Sequence, residues 1–244
     1  MSECLEKYEY GVINAKLKEK LIEFALEVHS KNIGLLVKAN VDVPTDGATT
    51  NTYNTDNNVY VYLLHPRLVK RVEDHYLKFA NTLGLSEDPL RGTLIQIIDG
   101  PIQGEESNTI HPHVDPDCRP ASFMYILSPG GDNVTTSWYN IKQKSTIKYA
   151  EQVTKEVHVF DLPIYAKENL ELIEEHVMQE DCWYLFNNSI PHGVENIKST
   201  RITLWSIPNF LEIREEFEKT NVTDKSKLSI GWNSLECMKY DTLD

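Results

Sequence analysis

His111-Pro112-His113-Val114-Asp115 is the stretch on which the reading of the chain turns. On a β-strand alternate side chains share a face. His113 and Asp115 then project together and offer an imidazole nitrogen and a carboxylate oxygen to one metal ion. His111 has the same parity, so a His111/His113 ligand pair is open on spacing alone. Pro112 cannot donate to a ladder and signals an irregular entry to the strand. A later run, Trp183-Tyr184-Leu185-Phe186-Asn187-Asn188-Ser189-Ile190-Pro191-His192, ends in a third candidate ligand, and Arg201-Ile202-Thr203 begins nine residues beyond it. Two imidazoles and one carboxylate occupy one face of an octahedron and leave the other positions open to small ligands.

Working outward, the segments around these residues have the period of strands. Leu94-Ile95-Gln96-Ile97-Ile98 is a short apolar run closed by the turn signal Asp99-Gly100-Pro101. Residues 121–127 and 134–139 read as two strands about the turn Ser128-Pro129-Gly130-Gly131-Asp132. Residues 157–160, 182–186 and 202–207 are further β-runs, and Pro208 marks the end of the sheet. Residues 142–156 read as an exposed hairpin or insertion. Residues 166–177 read as a short helix or extended loop with Leu170 and Ile173 facing inward. Many short strands with turn signals, flanked by helices near the N-terminus, indicate a mainly β (α+β) chain whose core is a double-stranded β-helix, a jelly-roll, cupin-like barrel.

Before that core, residues 16–30 form an amphipathic helix, with Leu17, Leu21, Phe24, Ala25 and Val28 on one face. Residues 66–83 form a second, with Leu68 and Val72 among its apolar positions. Residues 40–58, rich in Asn, Thr and Asp, read as a long loop containing Tyr53. The expected organisation is a single domain over 1–244. Its parts are N-terminal helices and loop (1–90), a barrel core (91–208) and a C-terminal extension (209–244) with a helical piece at 210–219 and Trp232. The 244 residues suffice for a sizeable core. A net charge of −13 argues against a nucleic-acid polymer as partner. Cys4, Cys118, Cys182 and Cys237 have no metal-type spacing and read as reduced thiols of a cytoplasmic protein. No apolar run suggests a signal peptide or a membrane span.

At these residues the chain resembles the Fe(II)- and 2-oxoglutarate-dependent dioxygenases. Their pattern is His-x-Asp, a long gap, a distal His, then a basic residue about ten positions on, often as Arg-x-Ser or Arg-x-Thr. Here it reads His113-Val114-Asp115, His192 and Arg201-Ile202-Thr203. The resemblance extends from about Thr93 to Ile207. It selects His113 and Asp115 over the His111/His113 pair and leaves His111 to line the substrate pocket or support the ligands. Of His158, His176 and His192, only His192 is followed at that distance by an arginine in the Arg-x-Thr form, so the resemblance gives the distal place to His192. The resemblance implies that Fe(II) is held by His113, Asp115 and His192. It implies that Arg201 and Thr203 bind the far carboxylate of 2-oxoglutarate, with Gln96 a further polar contact. A polar residue at an edge is the other reading of Gln96. Arg119, opening the next strand, resembles the prolyl-hydroxylase-like branch. That branch has an inward tyrosine on this strand. By parity Ile126, not Tyr125, takes that place here, which is a departure. The activity implied is hydroxylation of a small molecule or a side chain with O2, releasing succinate and CO2. A cupin-like metal enzyme of another class, a non-catalytic barrel and a purely structural jelly roll are the other readings of the same residues.

Overall fold

The structure is a computed structural model that describes residues 4–9, 11–31, 35–43, 53–64, 68, 70–72, 75, 93–114, 121–142, 147–148 and 163–206. Asp115, Cys118, Arg119, the strand expected at 157–160 with His158, Cys237 and the C-terminal features at 210–219 and Trp232 lie outside those residues.

Two sheets pack face to face. The larger is ordered β1 (Leu5–Tyr8), β11 (Trp183–Asn187), β6 (Ala121–Ser128), β13 (Arg201–Ser206), β4 (Thr93–Ile98), β3 (Tyr53–Leu63), β2 (Leu35–Val43). The smaller is ordered β10 (Leu170–Val177), β7 (Thr135–Ile141), β12 (His192–Ile197), β5 (Asn108–His113), β9 (Pro163–Ile164), β8 (Ile147–Lys148). The pairs that join neighbours within each sheet are antiparallel. From β4 to β7 the chain alternates between sheets at every strand, and it does so again from β10 to β13.

The outer face of the larger sheet is covered by helix α1 (Ala15–Lys31). Asn14 caps this helix, its side chain accepting from Leu17 N at 2.9 Å and its carbonyl from Lys18 N at 2.9 Å. His29 and Lys31 in the last turn suit the negative end of the helix dipole. Leu17, Leu21, Phe24, Ala25 and Val28 pack on Ile95, Ile97, Phe123, Tyr125, Trp183, Ile202 and Leu204. Leu68 and Val72, helical where described, join the same core. Strands β4, β6 and β13 are thus buried on both faces, which is why they read as unbroken apolar runs rather than as clean alternation. Tyr125 belongs to this outer core, its hydroxyl accepting from Ile13 N at 3.1 Å. Ile126 faces the opposite way, in register with Thr203.

Two sequence expectations are corrected. Residues 40–58 are not one loop: the ends of that stretch belong to β2 and β3, which extend the larger sheet, and Tyr53 opens β3. A polar sequence pairs here because Val59 and Tyr60 supply apolar contacts while register with β4 supplies the ladder. The stretch 166–177 is a 3-10 turn at Lys167–Asn169 followed by the edge strand β10. Leu170 is buried as expected, but Ile173 is 39% exposed because a bulge between Leu172 and Glu174 shifts the register there.

Phe24 lies at the centre of the helix–sheet contact. Phe24→Ala should lower unfolding free energy by about 3–5 kcal/mol, whereas Leu26→Ala, at a position 46% exposed on the same helix, should change it by less than about 1 kcal/mol. Urea denaturation of both variants checks this; similar losses in the two would refute the packing described.

Candidate metal and anion site

Between the sheets the inner face of the larger one is not uniformly apolar. Leu94, Met124, Ile126, Tyr184, Phe186 and Trp205 form an inner core with Trp138 of the smaller sheet. Among them stand Gln96, Ser122, Arg201 and Thr203. Cross-strand register places Thr203 opposite Gln96 and Arg201 opposite Ile98. Thr203 Oγ1 donates to Gln96 Oε1 at 3.3 Å. Because β4 lies between β3 and β13, Gln96 is not an edge residue.

His113 and His192 are register partners on β5 and β12. Their ring centroids lie 4.5 Å apart. His192 is buried and stands edge-on to Phe186 of the opposing sheet at 4.8 Å, so it faces the interior. Phe186 in turn meets Trp138 at 4.8 Å with the rings tilted by 45°, and Trp138 Nε1 donates to Asn187 O at 3.2 Å. Each imidazole is oriented in the same way: Nδ1 of His113 lies 2.8 Å from His111 O, and Nδ1 of His192 lies 2.8 Å from Ile190 O. A carbonyl only accepts, so the ring proton of each neutral imidazole sits on Nδ1 and the lone pair on Nε2. Metal-ligating histidines are commonly fixed in this manner. The donor set fits a divalent first-row ion with mixed nitrogen and oxygen ligation. Among the described residues no group of three His, Cys, Asp or Glu side chains converges. The carboxylate expected to complete the set is Asp115, outside those residues.

The β5–β12 pairing is irregular, and this decides where His111 goes. From His192↔His113 to Val194↔Ile110, two steps on β12 oppose three on β5; from there to Ile197↔Asn108, three oppose two. The first bulge lets both Ile110 and His113 face inward, with Ile110 against Ile98, Val134 and Ile197. His111 is thereby turned to the other face, and the expected shared parity with His113 does not hold. Burial lowers its pKa, with Glu195 and Lys167 as its charged neighbours. The second bulge passes through Asn196, at φ 64°. His176 sits on edge strand β10, with Nε2 3.1 Å from Glu174 Oε2.

Arg201 is 2% exposed, and burial pulls its pKa down to about 10, so it remains a cation at neutral pH. Its Nη1 donates to Pro129 O at 3.3 Å. Among the described residues no carboxylate pairs with it. The neighbouring turn is shaped around it. Gly130, at φ +87°, accepts Lys198 N and Ser199 N on its carbonyl, and a Cβ there would stand 2.8 Å from Arg201 Cβ. The motif did not single out two further residues, Asn188 and Thr136, both fully buried. Polar residues at inward positions of an apolar strand are the signal that would have found the last.

No protein-family model matches the chain, and no curated protein sequence does. Among solved structures the chain is similar to a Pseudomonas putida prolyl-4-hydroxylase, at 13% identity and a TM-score of 0.44, over 84% of this chain and 92% of that one. It is also similar to a Trichoplax adhaerens prolyl hydroxylase in complex with a hypoxia inducible factor oxygen degradation domain peptide fragment. There the identity is 11% and the TM-score 0.44, over 90% of this chain and 88% of that one.

Gly193 provides a test of the paired imidazoles that leaves both untouched. A Cβ at this position would meet Ile110 O at 2.7 Å and Pro112 N at 3.2 Å, both backbone atoms of the bulge. Gly193→Ala should therefore push β5 from β12, costing about 1–3 kcal/mol of stability and weakening Co(II) binding at least about tenfold, or about 1.4 kcal/mol. Visible-absorption titration with Co(II) reads the second effect; unaltered affinity would mean the two strands do not jointly hold the ion.

Proposed function

We propose that the chain is an Fe(II)- and 2-oxoglutarate-dependent dioxygenase that hydroxylates a small-molecule or side-chain substrate, with release of succinate and CO2. The observation that carries this reading is Arg201. A cation buried between two sheets is costly unless an anion meets it. Among the described residues the protein supplies no such anion, so a bound carboxylate is the partner that fits. The paired imidazoles on β5 and β12 of the facing sheet supply the other requirement, a place for the ion.

The core of the proposal is a double-stranded β-helix over 91–208, with 1–90 packed on it and 209–244 as an extension. Its support is the strand order: β4, β13, β6, β11 in one sheet face β5, β12, β7, β10 in the other, as alternation of the chain between sheets requires. His113, His192 and Asp115 would hold the metal. Bound Fe(II) would supply dioxygen activation coupled to decarboxylation of the cosubstrate. The remaining work belongs to the chain. Arg201 meets the far carboxylate with a planar fork matched to its geometry. Thr203, hydrogen-bonded to Gln96, offers a hydroxyl two residues further along the same strand. Phe186 and Trp138 wall the histidine side with apolar rings and exclude water from it. Asp115 kept as a carboxylate favours hydroxylation over halide transfer.

Anaerobic titration of Fe(II) and 2-oxoglutarate, followed by the visible charge-transfer band, tests the reading. Arg201→Ala should weaken 2-oxoglutarate by about 30- to 1000-fold, from about 2–4 kcal/mol of charged hydrogen bonding, and leave Fe(II) affinity nearly unchanged. Arg201→Lys should fall between, keeping charge but losing the fork. His192→Ala should lose metal first. The reading is falsified if the alanine variant at 201 binds 2-oxoglutarate as the parent does.

A further inference from the structure

Thr136 stands inside the sandwich with nothing to bond among the described residues. It is 0% exposed, and its Oγ1 has no hydrogen-bond partner among them. A hydroxyl in that position has lost water without gaining a replacement, a net loss for the folded chain. Valine has nearly the same shape, suits a strand at least as well and would avoid the loss. The hydroxyl therefore calls for a partner that the described residues do not provide.

Its direction follows from register. On β7, Trp138 is opposite His192 and its ring meets Phe186 of the other sheet, so Trp138 points inward. Thr136, two residues away, shares that face. It is opposite Val194 of β12, with His176 of β10 on its other flank. Beyond it toward the start of β7, Val134 packs with Ile98, Ile110 and Ile197. Ile98 is the register partner of Arg201, and Ile197 and Arg201 both border Gly130. Along the interior the order is therefore His192 with Trp138, then Thr136 with Val194, then the apolar group beside Arg201. Thr136 occupies the interval between the candidate metal ligands and the buried cation, on the sheet opposite Thr203.

We infer that the Thr136 hydroxyl donates to the carboxylate ligand held at Arg201, so that the anion is gripped from both sheets at once. This rests on the cosubstrate reading above and adds to it a residue from the facing sheet. Arg201 and Thr203 come from a single strand and could hold a ligand against one wall only. A donor on β7 would fix its tilt across the sandwich.

The test compares Thr136→Val and Thr136→Ser with the parent. Three quantities are read: urea stability of the ligand-free protein, Co(II) affinity, and 2-oxoglutarate affinity by calorimetry with Mn(II) in place of Fe(II). The valine variant should be at least as stable as the parent without ligand, bind Co(II) unchanged, and bind 2-oxoglutarate about 10- to 100-fold more weakly, as loss of one charge-assisted hydrogen bond implies. The serine variant should bind within about threefold of the parent, a difference of less than about 1 kcal/mol. A ligand-free valine variant less stable than the parent overturns the inference, because the hydroxyl then serves the fold. So does unchanged 2-oxoglutarate affinity in that variant; if Arg201→Ala still abolishes binding, the cosubstrate reading stands without Thr136. A parent that binds no 2-oxoglutarate removes both.

Discussion

A guanidinium enclosed between two sheets constrains everything near it. Strands β4, β6 and β13 are covered outside by α1 and inside by the smaller sheet, so their side chains have little water to turn to. On the helix side the chain answers with an apolar surface from Ile95 to Leu204. On the inner side it keeps Gln96, Thr203 and Arg201, and across from them Thr136 and His192. Buried polar groups are costly wherever they are left unsatisfied. Here they line the space between the two sheets from both sides, the distribution a binding site would require.

Local backbone devices hold that arrangement. The turn at Ser128–Gly131 wraps the start of β13: Pro129 O takes one guanidinium hydrogen bond, and Gly130 O takes two backbone donors from the connection between β12 and β13. A left-handed φ at Gly130 and the absence of a side chain there let the turn come so close. On the opposite sheet, compensating bulges let β5 and β12 diverge from simple alternation and then recover it. The bulged backbone passes directly over Gly193. Both devices use glycine at a point of close approach, and each sits beside one half of the site.

Parts of the fold were legible in the sequence and parts were not. Strands β11 and β13 were legible because they are short and largely apolar, whereas β12, which bears His192, was not expected as a strand because His192-Gly193-Val194-Glu195-Asn196-Ile197 is polar and bulged. Helix α1 was legible from the spacing of Leu17, Leu21, Phe24 and Val28. The strands β2 and β3 were not, since Asn, Thr and Asp between 40 and 58 carry no period and their pairing depends on β4, far along the chain. His111 was misplaced for a different reason. Parity assumes an uninterrupted strand, and Pro112 marked the irregularity without revealing that one extra residue would turn His111 away from His113. Thr136 was hidden because Thr135-Thr136-Ser137 is polar throughout; only the position of Trp138 in three dimensions tells which of the three faces inward.

The nine-residue offset from His192 to Arg201 has a structural meaning. His192 opens β12 in one sheet, and Arg201 opens β13 in the other; the interval is one strand plus the short connection that crosses the edge of the sandwich. At about 3.3 Å per residue, the five steps along β12 would carry the backbone about 16 Å from the imidazole, somewhat less through the bulges. A ligand spanning a metal and a cation, as proposed, would be far shorter than that. The difference would have to be closed from the Arg201 end by a long side chain reaching back between the sheets, which arginine can do and serine or threonine could not. Thr203 lies further along β13, opposite Gln96, where a short side chain would suffice. The order of residue types along that strand, long cation first and hydroxyl second, is the one the crossover geometry would require of such a site.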